Sequence, residues 1–564
     1  MKSSCTSSAI PCCAWAALPA RRRSRLVSVF LSLIVLFLFA FPPSRADAGS
    51  LDSTAAALRE GHLALSHYDF DTAHAIASAL SGPHGDLPDV RYFLGRLAFY
   101  EGRYADAVKA FDGVDFVDAQ GKKDGFPDYA RRVAAAVEGL ETTESEHFAI
   151  RYDARGPDRI LIPYAVPVLE SAWKRLSSEL GYVPDRAIRL EIFPTSDRFI
   201  QASGLTADEI QTTGTVALCI YDKLMITSPR ALALGYRWMD TLSHELVHLF
   251  VSRRTGDRVP VWLQEGLARF FEGRWRGARG ADMTPNAESL LAEALEADKL
   301  VPFERMSPSL AKLPSAEEAQ LAFAQVQTVI EFILSRRGQE GIHRLLEDFA
   351  EGMNDREVIE DVLGLSFERF QDEWRAFLKN KHLKVLPGVA VLPTILRAQR
   401  VADGELDIEN EKVADPFMER NKTLKDFTRL GDLLRERGRF KAALIEYGKA
   451  RMAAPVESPA LSVKIALTWL EGDNPGAARK ALEETVARHP SFAPALTTLA
   501  RAQIEEGDFA GAIHSLEEAN AINPFNPAIH VSLAHLYDAD GRHKRAALER
   551  RVVQTLTGSR WNDR

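Results

Sequence analysis

Hydrophobic and polar positions change period several times along the chain, and the changes divide it. From Leu51 to Asp118 apolar residues recur at helical spacing. Within this stretch Leu65-Ser66-His67-Tyr68-Asp69-Phe70-Asp71-Thr72-Ala73 parallels Phe99-Tyr100-Glu101-Gly102-Arg103-Tyr104-Ala105-Asp106-Ala107, and Ala73 and Ala107 stand 34 residues apart. That period predicts helix pairs, with a small residue where they pack and a glycine or its substitute at the turn. Two such units bury little alone, so they are expected to lean on the neighbouring domain. Ala119 to Asp128 reads as an exposed connection. The period then falls to two. His147-Phe148-Ala149-Ile150-Arg151-Tyr152 and Ile188-Arg189-Leu190-Glu191-Ile192-Phe193 alternate as half-buried strands do, with a helix from Ile160 to Gly181 between them. Thr215 to Ser228 predicts a further extended stretch, broken by a turn at Tyr221-Asp222-Lys223.

Helical spacing returns at Leu242, Leu246, Leu249 and Phe250, predicting a buried helix. A short turn from Arg253 to Pro260 leads to a second amphipathic segment with Trp262, Leu263, Leu267 and Phe270, placed as an antiparallel neighbour. Beyond the polar stretch Arg274 to Gly280, helices run to about Lys381, including Gln325 to Arg337 and Phe367 to Leu378. These are expected to form the other wall of a cleft. Leu386 to Glu419, with Pro387, Pro393 and Pro416, reads as a linker. From Phe427 the long period resumes: Gly438, Gly472, Gly507 and Gly541 recur at spacings of 34, 35 and 34. Ala442, Ala477, Ala512 and Ala546 come after them as helix starts, and Pro455, Pro490 and Pro524 close the repeats. Four in-register units resemble the tetratricopeptide repeat, whose stacked helices typically present a groove to a peptide or partner protein.

The predicted buried helix carries chemistry. His244-Glu245-Leu246-Val247-His248 puts two imidazoles four residues apart, on one helical face, where both can hold one ion. Zinc suits imidazole nitrogen and carboxylate oxygen, and a catalytic site needs three protein ligands and an open position. Glu245 lies where its carboxylate can take a proton from a water activated by the ion. Among candidates for the third ligand, Glu265 stands best, alone amid Trp262, Leu263, Leu267 and Phe270; Glu272 is the fallback, or else a solvated acid at the helix end. Asp240, one turn before His244, either holds a ligand histidine or favours the helix dipole.

These residues, with Trp262-Leu263-Gln264-Glu265-Gly266-Leu267-Ala268, resemble the gluzincin metallopeptidases, specifically the peptidase MA-like domain. The resemblance covers about residues 145 to 380. It implies zinc, a water nucleophile, His244, His248 and Glu265 as ligands, and Glu245 as general base. It also implies that an edge strand beside the metal, here within 215–228, pairs with extended substrate; the alternative is an ordinary sheet strand. Two positions depart from the pattern. Thermolysin-like relatives carry a histidine-orienting aspartate one turn after the glutamate ligand, where this chain has Arg269. Related enzymes often carry a tyrosine where Phe323 stands, and such a tyrosine can donate to a developing oxyanion.

Composition narrows the setting. At 564 residues several domains are expected. Arg21, Arg22, Arg23 and Arg25 precede an apolar run from Leu26 to Phe41 and then Ala46-Asp47-Ala48, the layout of a secretory signal cut after Ala48. The product is expected to be exported, periplasmic or secreted; the alternative is an N-terminal membrane anchor, for which 16 residues are short. Removing the segment takes six of 70 basic and one of 78 acidic side chains, leaving a net charge of −13, which argues against nucleic acid or anionic membrane as main partner. Cys5, Cys12 and Cys13 leave with it, and the lone Cys219, read as core, can form no internal disulfide.

The expected architecture is an α+β zincin-like catalytic domain, a mixed sheet plus the motif helix and a helical subdomain, flanked by all-α tetratricopeptide repeats. The divisions are a signal segment at 1–48, N-terminal repeats at 49–118, a linker at 119–144, the catalytic domain at 145–385, a linker at 386–425 and a C-terminal solenoid at 426–556. The expected function is zinc-dependent hydrolysis of a peptide or protein substrate, with repeats for a protein partner. The alternatives are a weak or inactive scaffold of the cell envelope and a metallohydrolase acting on something other than peptides.

Overall fold

A computed structural model of the chain describes residues 45–559, except 114–115, 118–122, 278–282, 308–309, 311–312, 388–395, 397–420 and 454–457. The apolar leader, its three cysteines, most of the 386–425 linker and Pro455 lie outside the described residues. Contacts divide the chain into two compact units, one ending at residue 134 and including 256–258, the other holding 135–255 and 259 onward.

In the first unit α1 (Arg45–Ser66) pairs with α2 (Phe70–Ser81), and α3 (Pro88–Tyr100) with α4 (Tyr104–Phe111). Tyr68 (φ 61°) and Gly102 (φ 75°) make the two turns, 34 residues apart. Five residues after each, Ala73 and Ala107 are fully buried. The stretch 119–144 is more than a linker: it carries α5 (Phe126–Ala136) and the first strand. Phe126 and Tyr129 of α5 pack on Phe99, with ring centroids 5.1 and 5.6 Å away.

The second unit is built on a five-stranded mixed sheet. Strands β1 (Glu141–Glu144), β2 (Phe148–Tyr152), β3 (Ile188–Phe193), β4 (Ala217–Ile220) and β5 (Lys223–Thr227) lie in the order β1-β2-β3-β5-β4. The three inner strands are parallel to one another, and the two edges run antiparallel to their neighbours. Helix α6 (Ile162–Glu179) makes the crossover from β2 to β3. The alternating pattern predicts a half-buried β3, but the strand is almost wholly covered. It is central, and Glu191, the residue that gives it an alternating look, is only 2% exposed, satisfied by Lys223 at 2.8 Å and Arg151 at 3.2 Å. The 215–228 stretch is two strands, with Tyr221 (φ 52°) and Asp222 (φ 59°) both left-handed between them, as a type I′ hairpin turn requires.

Beyond α7 (Ser196–Ser203) and α8 (Ala207–Thr213), helix α9 (Trp238–Thr255) runs under the sheet with Leu242, Leu246, Val247, Leu249 and Phe250 buried. It packs on β4, β5 and α6, and against α10 (Val261–Phe271). Helices α11 (Pro285–Glu296), α12 (Ala316–Ala350), α13 (Asp355–Leu363) and α14 (Phe367–Asn380) complete this part. Gly338 (φ 60°, ψ −160°) breaks α12, so the expected end near Arg337 is a kink.

Eight further helices form four hairpins: α15 (Lys422–Glu436) with α16 (Phe440–Ala453), α17 (Pro459–Glu471) with α18 (Pro475–Arg488), α19 (Ala493–Glu505) with α20 (Phe509–Asn520), and α21 (Pro527–Ala539) with α22 (His543–Thr557). Gly438, Asp473, Gly507 and Gly541 hold the left-handed turn positions, so the second repeat uses Asp473 where the glycine spacing points to Gly472. Five residues on, Ala443, Ala478, Ala512 and Ala546 are fully buried. In the first two repeats this is one residue later than the expected Ala442 and Ala477. The turn, rather than the glycine, sets the register. The last two repeats share the core of the α/β part through Ala521, Phe525 and Val552.

Helix α10 meets α12 at Gly266, where an added Cβ would stand 2.6 Å from the Val326 carbonyl oxygen and 3.2 Å from Ile330. Gly266→Ala should therefore force the helices apart and lower the thermal midpoint of the full chain by roughly 2–10 °C, the equivalent of about 1–3 kcal/mol. An unchanged midpoint in differential scanning fluorimetry would show that α10 can back away without cost.

Candidate metal centre

Helix α9 is buried on nearly every side, so each polar group it carries needs a partner. His244 and His248 project from one face toward α10, with ring centroids 4.9 Å apart. Their Nε2 atoms are 3.2 Å apart, and Glu265 Oε2 lies 3.4 Å from the first and 3.5 Å from the second. Three donor atoms thus form a nearly equilateral triangle. Ligands at zinc's usual bond lengths of about 2.0–2.1 Å on a tetrahedron are separated by about 3.3–3.4 Å. The donor set therefore fits one face of a zinc tetrahedron.

The far sides of the rings are held as well. Glu272 Oε2 lies 3.0 Å from His244 Nδ1, and Gln264 Oε1 lies 3.4 Å from His248 Nδ1. With each Nδ1–H donating outward, each Nε2 is left for an ion. Gln264 is anchored in turn by donating to the Val259 carbonyl at 3.2 Å. Glu272 lies outside that triangle, behind His244, with 16% of its side chain exposed. The two departures from the family pattern meet beside it. Arg269 Nη1 lies 3.4 Å from Glu272, and its guanidinium covers the Phe323 ring at 4.7 Å.

The electrostatics follow from this packing. Burial disfavours a charged His244, but hydrogen bonds to Glu265 and Glu272 and the charges of both outweigh it, raising the imidazole to about 10. Against burial, the charge of His248 and hydrogen bonds from both histidines hold the Glu265 carboxyl well below the usual range. Glu245 is buried beside the triangle, and burial pushes its carboxyl up against the opposing pull of His248 and His244. Below about pH 10 the metal-free His244 carries a proton that an ion must displace.

Other expected residues fall elsewhere. The Asp240 carboxylate has no hydrogen bond to either motif histidine among the described residues; it accepts from Arg237 Nε at 2.7 Å, Trp275 Nε1 at 2.9 Å and Arg276. Cys219 is partly buried against the main core. Only β4 of the 215–228 stretch is an edge; β5 lies inside the sheet. Asp222, in the turn between them, receives Arg253 of α9 at 2.6 and 3.0 Å and Arg186 at 3.1 Å. Sequence reasoning passes over Tyr236, whose hydroxyl donates to the Thr227 carbonyl. Burial, with the charges of Glu245 and Asp158, pushes that phenol well up. Nothing in the pattern of apolar positions marks it.

Residues 169–380 match the family model of the Peptidase MA superfamily, and residues 503–548 match the tetratricopeptide repeat. The chain thus carries a Peptidase MA superfamily domain together with tetratricopeptide repeats. No curated protein matches it. Among solved structures, MamA from Desulfovibrio magneticus RS-1 is 22% identical over 25% of this chain and 78% of its own, with a TM-score of 0.23. TTC0263, a thermophilic TPR protein in Thermus thermophilus, is 22% identical over 24% and 75%, with a TM-score of 0.22. The Cut9–Hcn1 hetero-tetramer of the APC/C is 11% identical over 92% and 94%, with a TM-score of 0.23. At scores of this size these likenesses carry no inference about this chain. No helix among the described residues is long and apolar enough to cross a membrane.

Two measurements test the centre. Glu272→Ala should weaken zinc binding about 10–100-fold by freeing the His244 ring, and an unchanged affinity would mean that packing alone orients it. Calorimetric titration of the wild type in buffers of different ionisation enthalpy should show about one proton expelled per zinc near neutral pH. No expelled proton would mean that His244 is neutral before the ion arrives.

Proposed function

We propose that the chain is a zinc-dependent metallopeptidase of zincin-like fold, with His244, His248 and Glu265 as metal ligands and Glu245 as general base. The observation that carries this reading is the convergence of two Nε2 atoms and one carboxylate oxygen at 3.2–3.5 Å beside a buried glutamate. Zinc bound there would polarise the scissile carbonyl and make water nucleophilic at neutral pH. The Glu245 carboxylate takes the proton of the attacking water and passes it to the leaving amine. Its raised affinity for protons suits that exchange. Glu272 and Gln264 keep the two imidazoles in one orientation through the cycle. Strand β4, at the sheet edge, offers its backbone to an extended peptide running past the centre. The repeats carry a protein partner or hold a substrate protein. The basic-then-apolar segment before Ala48 supports export, to the periplasm or out of the cell, with an N-terminal membrane anchor as the alternative.

One observation favours slow turnover or a scaffold role. Phe323 has no hydroxyl to donate and its ring lies under Arg269, so this wall supplies no oxyanion donor of the kind related enzymes have.

Glu245→Gln keeps the size of the side chain and removes the base. With zinc content unchanged, hydrolysis of a quenched-fluorescence peptide library should fall by at least about 100-fold. Hydrolysis surviving in that variant would sink the mechanism, and zinc-loaded wild type that cleaves nothing would favour the scaffold.

A further inference from the structure

The segment that starts the metal-motif helix is held by the solenoid. Tyr236 N–H donates to the Ile522 carbonyl at 3.1 Å, Trp238 N–H to the Ala521 carbonyl at 3.1 Å, and Trp238 Nε1–H to the Asn520 carbonyl at 3.2 Å. These three consecutive carbonyls end helix α20, where a helix has acceptors without partners, and they meet the first turn of α9, where a helix has donors without partners. The negative end of one helix dipole thus faces the positive end of the other. The approach is close enough that a Cβ on Gly235 (φ 67°) would stand 2.4 Å from the Ile522 oxygen.

Charged side chains tie the same two pieces. Glu518 of α20 accepts from Arg237 at 2.9 Å and faces Arg276 at 3.7 Å. Both arginines also hold Asp240, in the first turn of α9. Leu234, just upstream, packs on the cluster formed by α17, α18 and α19. A second tie lies away from the centre: Tyr164 of α6 donates to Glu549 at 2.8 Å, and Glu549 is bonded to the fully buried His530 at 2.6 Å.

We propose that the third C-terminal repeat is a positioning element of the metal centre: Glu518 and the carbonyls of Asn520, Ala521 and Ile522 set the first turn of α9 and hence the register of His244 and His248. Naming the ion as zinc rests on the function proposed above; the clamp itself does not. His244 is six residues past Trp238, about 9 Å along a packed helix, so movement of the first turn reaches the ligands with little slack. The solenoid is then part of the site's frame, and Glu518 is a positioning residue that touches neither ion nor substrate.

The test uses the full chain as wild type, Glu518→Ala and Glu518→Gln, with two readouts. These are amide hydrogen exchange over residues 238–248 and the rate of zinc loss to a chelator. Glu518→Ala should raise exchange over that helix and speed zinc loss about tenfold, with Glu518→Gln intermediate. Zinc loss equal to wild type would overturn the proposal even if exchange rises, because the contact would then be structural only. Unchanged exchange would overturn it too. If Glu518→Ala does not fold, the isosteric Gln variant decides by the same readouts. Wild type that holds no zinc would sink the metal-centre reading, and the positioning proposal with it, whatever the exchange shows.

Discussion

A helix buried on nearly every face, yet carrying charge along its length, is the constraint on which the rest of the second unit depends. Asp240, His244, Glu245, His248 and Arg253 all lie on α9 inside an apolar core. A charged group taken out of water unpaired costs several kcal/mol, so Asp240, His244, His248 and Arg253 take partners fixed by the fold, while burial pushes the Glu245 carboxyl toward its neutral form. The partners come from every element around it. Helix α10 brings Glu265 and Gln264 to the histidines, and Glu272 stands just past its end. The β4–β5 turn brings Asp222 to Arg253, and the solenoid brings Glu518 to the arginine beside Asp240. Polar residues on one helix thereby organise a sheet edge, a neighbouring helix and a repeat array.

Close packing is needed for those partners to reach. Gly266, next to Glu265, lets α10 lie directly on the backbone of α12, and this keeps Glu265 at hydrogen-bond range from both imidazoles. Arg269 and Phe323, the two departures from the family pattern, form one stack that also neutralises Glu272. An acid seven residues after Glu265, rather than four, stands behind His244. Both spacings are about whole helical turns, so either places a carboxylate on the same face.

Much of the fold is legible in the sequence because it is written in local periods. The 34-residue repeats, the amphipathic helix pair and the alternating strands each need only a short window of sequence. The H-E-x-x-H spacing likewise places two donors on one face by helical geometry alone. What escapes is decided by partners distant in sequence. Glu191 makes β3 look half-exposed because its partner Lys223 is 32 residues away. Glu272 looks like a helix-end acid because nothing local shows that His244 lies across from it. Glu518 is 281 residues from Arg237 and looks like any solvated residue of a repeat. The one-residue offset at Ala477 has a local cause: a left-handed turn can fall on the aspartate after a glycine, as at Asp473, whereas at Ala442 the turn is on Gly438 itself and the adjacent alanines Ala442 and Ala443 look alike in the sequence.

The Asp222–Arg253 pair has a mechanical consequence. It pins the tip of the β4–β5 hairpin to α9, five residues past His248. Breaking a buried pair of this kind by removing one partner costs about 3–5 kcal/mol. Edge strand and histidine-bearing helix are thus joined by a buried charge pair at the hairpin tip as well as by the packing of α9 on β4.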